Sequence, residues 1–416
     1  MNSVAVVSII ALVLAIVLGI LKPKLNVGLI AIALSFLVGS FFAGLTDKEI
    51  AVLFPSNLFL MLVGVTSFFG VAEQNGLLDG IAARSIRLIR GRRELLPIVF
   101  FIFSFVLSAI GPGNIAATAV LAPIGMGLAY KLKANQLLMA ILIVTGANAG
   151  AFSPVAPTGV ILSGLASDIQ AGETKTILQV FAMSALIQSV SALLAYVLFN
   201  RIQKKQEPAK EIPCEECIPL TSYQWLSVGA ILTVLAATIL FDVSLGLATF
   251  TGALLLMLFD TNIAEKVVAR IPWETILLVT GVSILIGVME KAGGLEMATD
   301  ILAAYTPQGL IHAALAFITG LVSAYSSSSG VVMPAFIPLI PGIIEKMGAG
   351  NPVTMLIAIA VGSHMVDVSP LSTLGALCIA NAKEDRQKLF QRLMIWGLSM
   401  AVFGSILSFL FLDLLI

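Results

Sequence analysis

The sequence predicts an all-α polytopic membrane protein made of two inverted-topology repeats. Each repeat is expected to hold five transmembrane helices, including one broken helix, together with a re-entrant helical hairpin. Three observations predict it. Of 416 residues, 59% are hydrophobic and 11% charged, where a soluble domain carries roughly 25% charged residues. Apolar runs suited to a bilayer core of about 30 Å, which takes about 20 residues to cross, recur along the chain. The second half also repeats the first at a nearly constant offset. With 23 basic and 23 acidic residues the formal net charge is zero, and no basic stripe suggests a nucleic-acid partner.

The spans come first. Segments 3–21, 25–44, 57–74, 136–166, 176–200, 223–241, 244–262, 273–291, 352–381 and 390–415 reach crossing length. The opening residues lack a basic leader and a small-residue cleavage site, so they read as a retained helix rather than a signal peptide. Two spans, 136–166 and 352–381, are overlong and interrupted by Ser-Pro. Regions 95–130 and 308–346 each read as two apolar arms of about 16 residues around an uncharged polar tip, the pattern of a re-entrant hairpin. Ten crossings remain if both hairpins return to the side they entered from.

Sidedness follows from lysine and arginine. With the N-terminus outside, the inner loops hold 19 of the 23 basic residues, leaving Lys48, Lys175, Lys291 and Lys346 outside. Both termini then face outward and the polar 201–222 linker is cytoplasmic, in a protein of the cell (inner or plasma) membrane. Cys214 and Cys217 in that linker read as reduced loop thiols rather than a metal site, and Cys378 as a packing residue. No cofactor is expected. The cluster Arg84–Arg93 reads as an interfacial cytoplasmic helix, and Glu73 and Glu290 as structural residues at span ends.

Self-comparison gives the strongest signal. LVGVTSFFGVAEQNG (62–76) matches VTGVSILIGVMEKAG (279–293), setting Gly64, Gly70, Glu73 and Gly76 on Gly281, Gly287, Glu290 and Gly293. SAIGPGNIAATAVLAPIG (108–125) matches SAYSSSSGVVMPAFIPLI (323–340), and GANAGAFSPVAPTG (146–159) matches GSHMVDVSPLSTLG (362–375). Five crossings per copy is an odd number, so the second copy lies upside down, which is a transporter signature. The expected divisions are residues 1–200, the linker 201–222, and residues 223–416.

The breaks then acquire a purpose. Unpaired backbone groups in lipid cost several kcal/mol each, so a turn at that depth belongs in protein or beside a cavity. Two tips, Gly111–Asn114 and Ser326–Ser329, and two turns, Ser153–Thr158 and Ser369–Thr373, start half-helices near Ile115, Gly159, Gly330 and Leu374. Free N–H groups at such starts attract an anion, and no Lys or Arg lies in these turns. Freed carbonyls, Asn114 and the serines 326–329 are oxygen ligands of the kind that hold hard cations. An anion carried together with a cation is the resulting expectation. His364 and Asp367, three residues apart and so on one helical face, are ionisable groups inside a span and proton-relay candidates. A mutually satisfied structural pair is the alternative, as close helix packing is for the serines and helix capping for Asn114.

IGPGNIAATAVLAPIGMG, GANAGAFSPVAPTGVI, YSSSSGVVMPAFIPLIPG and GSHMVDVSPLSTLGALCIA together resemble the MatC-type malonate/dicarboxylate carriers. These belong to the divalent-anion:sodium symporter group of the ion transporter superfamily. The resemblance implies that superfamily's fold, a scaffold part and a moving transport part, a homodimer in lipid, and elevator motion. It also implies dicarboxylate between the tips and sodium beside each. Better-known members carry Ser-Asn-Thr at both tips; this chain reads Gly113-Asn114-Ile115 and Ser328-Ser329-Gly330. Coupling to Na+ and coupling to H+ therefore both stay open. The candidate substrate-binding residues are Asn114, Ser328, Ser329, Pro157, Thr158, Ser372 and Thr373. The candidate cation ligands are Gly113, Asn114, Gly146, Asn148, Ser326, Ser329, Ser363 and Asp367. Within transport the alternative is a Na+/H+ antiporter or an oxyanion exporter. An intramembrane hydrolase using serine, His364 and Asp367 is less favoured, because an enzyme needs one catalytic set and not two inverted copies.

Overall fold

The structure is a computed structural model that describes residues 3–22, 24–77, 94–203, 219–241, 243–324, 327–348, 350–383 and 386–413. Arg84–Arg93, Cys214, Cys217, Ser326 and most of the 201–222 linker lie outside the described residues. Within them every regular element is helical. In chain order these are α1 (Ser3–Leu21), α2 (Val27–Phe41), α3 (Asp47–Val52), α4 (Ser56–Gln74), α5 (Leu96–Ala109), α6 (Gly113–Lys131), α7 (Gln136–Ala151), α8 (Pro157–Asp168) and α9 (Thr174–Gln203). There follow α10 (Ser222–Phe241), α11 (Leu245–Phe259), α12 (Ala264–Arg270), α13 (Trp273–Lys291), α14 (Gly294–Tyr305) and α15 (Ile311–Ser323). The chain closes with α16, a run of short helical pieces over Ser328–Met347, then α17 (Pro352–Met365), α18 (Thr373–Ala380) and α19 (Arg386–Ser408).

Among the described residues seven helical stretches are long and apolar enough to cross a membrane: α4, α6, α9, α13, α16, the α17–α18 pair and α19 with its extension to Leu412. The sequence expectation needs correcting at three places. The span expected over 25–44 is a helix of 15 residues. The one expected over 244–262 ends at Phe259, where the axis turns by 118° into the Thr261–Arg270 segment. The hairpin arms are unequal: 14 residues in α5 against 19 in α6, and 13 in α15 against 20 in α16. Hydropathy reports how apolar a run is and not where its axis bends, so these ends are not legible in it.

Local geometry recurs at the offset of the sequence repeat. Asn135 caps α7 by accepting from Leu137 N at 3.0 Å, and Asn351 caps α17 by accepting from Val353 N at 2.8 Å. A side-chain oxygen there satisfies one orphan N–H at the helix start. Pro55 before α4 and Pro272 before α13 share one backbone conformation, at φ −77, ψ 74 and φ −75, ψ 65. Gly76 and Gly293, just past those two helices, both take left-handed φ, 77° and 76°.

Close packing recurs as well. A Cβ built on Gly146 would lie 2.3 Å from the carbonyl oxygen of Phe101, and one built on Gly362 would lie 2.2 Å from that of Ala316. These contacts seat α7 on α5 and α17 on α15. At the breaks, a Cβ on Gly159 would meet Ser153 O at 1.9 Å, and one on Gly375 would meet Ser369 O at 2.1 Å. Only glycine lets each half-helix restart this close to the turn before it. Both broken helices are deeply buried: every residue of α7 is buried, and so is α17 from Thr354 onward. α9 packs against both of them.

Candidate functional site

The four breaks fall where the sequence set them. The half-helices begin at Gly113, Pro157, Ser328 and Thr373, one or two residues ahead of expectation. Gly113, at φ 81°, brings the first tip onto the start of α8, where its Cβ position lies 2.8 Å from Pro157 Cδ. α6 and α8 start without a side-chain cap, behind Pro112 and Ala156. The two starts in the second half are capped by serine: Ser327 Oγ accepts from Gly330 N at 3.0 Å, and Ser372 Oγ accepts from Gly375 N at 3.1 Å. At the start of α6 Asn114 Oδ1 accepts from Ile115 N at 3.0 Å, and each serine cap takes up one N–H of its own helix start, so the starts differ in their caps while each keeps a positive end.

One chain of hydrogen bonds joins the tips. Asn114 Nδ2, at the first tip, donates to Asn148 Oδ1 at 2.8 Å. Asn148 Nδ2 donates to the His364 carbonyl at 2.8 Å and to Asp367 Oδ2 at 3.3 Å. Ser328 Oγ, at the second tip, donates to Asp367 Oδ1 at 2.7 Å. Ser323 lies 2.7 Å from Ser328 Oγ and donates to the Ser363 carbonyl at 2.6 Å. The Ser372 hydroxyl donates to the Asp367 carbonyl. All the side chains between Asn114 and Ser328 are buried, Asn148 at 0% exposure and Asp367 at 5%. Both hydrogen-bond partners of the Asp367 carboxyl are neutral. A buried carboxylate is costly without a counter-charge, so this group calls for a cation or a proton.

His364 and Asp367, expected to share one helical face, hold separate hydrogen-bond partners. α17 stops at Met365 and a tight 3-10 turn carries Val366–Val368, and the Asp367 carboxyl bonds to Ser328 and Asn148 and not to the His364 ring. His364 Nδ1 sits 2.9 Å from Ser363 Oγ and 3.2 Å from the Ala360 carbonyl, and its ring lies edge-on to Phe152 at 4.6 Å. That arrangement is not a Ser-His-Asp relay.

Of the other candidates, Gly146 serves the α7–α5 packing, and Ser363 Oγ is turned back onto the Ile359 carbonyl at 2.7 Å. Thr158 is buried, Pro157, Ser329 and Ser372 are half-buried, and Thr373 is exposed. Sequence reasoning missed Ser323, though its match to Ser108 was visible, and it missed that Asn148 reaches across to the second broken helix. Among the described residues no group of three His, Cys, Asp or Glu could hold a metal ion. Glu73, expected to be a structural residue, pairs with Arg270 at 2.9 Å.

Residues 2–151 match the family described as dicarboxylate carrier protein MatC, N-terminus. The first third of the chain is carrier-like. No curated protein matches the chain. Two solved structures share the fold. MtrF of Neisseria gonorrhoeae, described with a class of antimetabolite efflux pumps, superposes with a TM-score of 0.59 at 14% identity, over 88% of this chain and 83% of its own. The YdaH transporter of Alcanivorax borkumensis gives 0.53 at 16% identity, over 88% of this chain and 86% of its own. The carrier match points to a transporter and not to an enzyme, and the apolar helices to a multi-pass membrane protein. The match supports the MatC part of the resemblance. The two neighbours are not divalent-anion:sodium symporters, so that wider grouping stays an expectation.

Proposed function

We propose that the protein is a secondary active transporter carrying a small dicarboxylate, of the malonate, succinate or malate kind, together with a cation. The observation that carries this reading is the buried hydrogen-bonded chain from Asn114 through Asn148 and Asp367 to Ser328. It puts a carboxyl group and two broken helices at one place, beside two helix starts with free N–H groups. An anion suits those starts, α6 and α8. A dianion next to Asp367 is stable only with positive charge between them, so anion and cation enter together. Na+ and H+ both meet that need.

The same proposal holds the two halves, 1–200 and 223–416, to be inverted repeats, with both termini outside and the 201–222 linker in the cytoplasm. The tips and broken helices move as one body, elevator fashion, within a homodimer. The description of MtrF with efflux pumps favours one second reading, export through the same site. Purified protein in liposomes tests both, with labelled malonate or succinate and an imposed sodium or proton gradient. Gradient-driven accumulation is the expected result. Accumulation only when the gradient is reversed would favour export, and none under any gradient would sink the transporter reading for these substrates.

A further inference from the structure

Asn148 has one side-chain atom able to bind a cation, its Oδ1, and Asn114 Nδ2 takes one of that atom's two lone pairs at 2.8 Å. Both hydrogens of its amide nitrogen are also engaged, one on the His364 carbonyl at 2.8 Å and one on Asp367 Oδ2 at 3.3 Å. An amide with three of its four hydrogen-bonding positions filled, at 0% exposure, cannot turn over without breaking every one of them. Its neighbours come from different parts of the fold. Asn114 belongs to the first tip, while His364 and Asp367 belong to the second broken helix, and Asp367 in turn receives Ser328 from the second tip. The residue at the matching place in the second half is His364, whose ring rests on Phe152 of the first break. Each member of this pair therefore reaches into the other half.

We infer that Asn148 is a positioning residue that links the two tips, so that releasing one loosens the other. Its use to a carrier is direct. Ligands at one tip would be sensed at the other, and the site would not open at one tip while the other stays latched. This meaning rests on the transporter reading; the linkage itself is a property of the empty protein and is tested there.

The reporter is Ser329→Cys in full-length protein carrying Cys214→Ser and Cys217→Ser, purified without ligand and labelled with a maleimide. Asn114→Ala, at the opposite tip, is expected to speed labelling of residue 329 by about threefold or more, as coupling through a connected network allows. Asn148→Ala should do the same, and adding Asn114→Ala to it should bring no further change. Should Asn148→Ala fail to fold by gel filtration, Asn148→Ser takes its place. An unchanged labelling rate in Asn114→Ala would overturn the inference, as would an Asn114→Ala effect that persists in full without Asn148. Labelled succinate uptake by the parent protein is measured in parallel. Its absence would count against the transporter reading and leave the labelling result standing.

Discussion

The two broken helices share a backbone and differ in chemistry. α7 and α17 start on an asparagine cap, lean on a carbonyl through Gly146 or Gly362, and restart over Gly159 or Gly375. Yet the first half offers two uncapped helix starts and an amide, Asn148, while the second offers serine-capped starts and a carboxylate, Asp367. Backbone shape is what the repeat keeps. Charge is what it varies, and in the proposed function that variation gives the anion to one half and the cation to the other.

The comparison can be broken first at its scaffold. Gly159→Val and Gly375→Val each force a side chain against a carbonyl oxygen, at a cost on the order of 3 kcal/mol or more. Both variants should lose most folded protein, read as monodisperse yield in detergent. A tolerated valine at either site would mean that the two restarts are not equivalent.

A second test sharpens the chemical difference. Asn114→Ala should weaken succinate binding about tenfold or more, the effect of losing about 1.5–3 kcal/mol of hydrogen bonding to a charged ligand. Ser328→Ala should change the sodium or proton dependence of binding more than the affinity at saturating cation. Equal effects of both variants on both quantities would erase the division of labour. Smaller again, Asn135→Ala and Asn351→Ala should each cost about 1 kcal/mol of stability through the lost cap, seen as matched drops in melting temperature.

The smallest effect concerns Lys133 and Gly348, both in left-handed backbone, at φ 50° and 64°. Nothing lies within 4 Å of a Cβ on Gly348, so Gly348→Lys isolates the backbone cost, about 1 kcal/mol. Lys133→Gly should stabilise by less than about 1 kcal/mol, since the unfolded chain gains freedom in exchange. Opposite shifts in melting temperature are expected.

These pairs also show what a sequence can and cannot carry. Ser153–Thr158 and Ser369–Thr373 were legible as breaks because Ser-Pro in an overlong apolar run has few other readings. Lys133 gave no sign of its backbone, since lysine is at home in many conformations. Asn148 was legible as polar and buried, but its partners include a backbone carbonyl 216 residues away, which no spacing rule reaches. His364 was legible as an ionisable group inside a span, but not that its ring nitrogen turns to Ser363 and the Ala360 carbonyl, since spacing does not give a side chain's rotamer.

The claim at the centre of this account is that Asp367 sits on the cation side of a coupled site. The measurement is labelled succinate movement in liposomes, wild type against Asp367→Asn, under an imposed sodium or proton gradient and again as exchange without one. The account predicts that the variant loses gradient-driven accumulation while it still exchanges succinate for succinate. Accumulation driven as well in Asp367→Asn as in the wild type, by whichever gradient works, would contradict it.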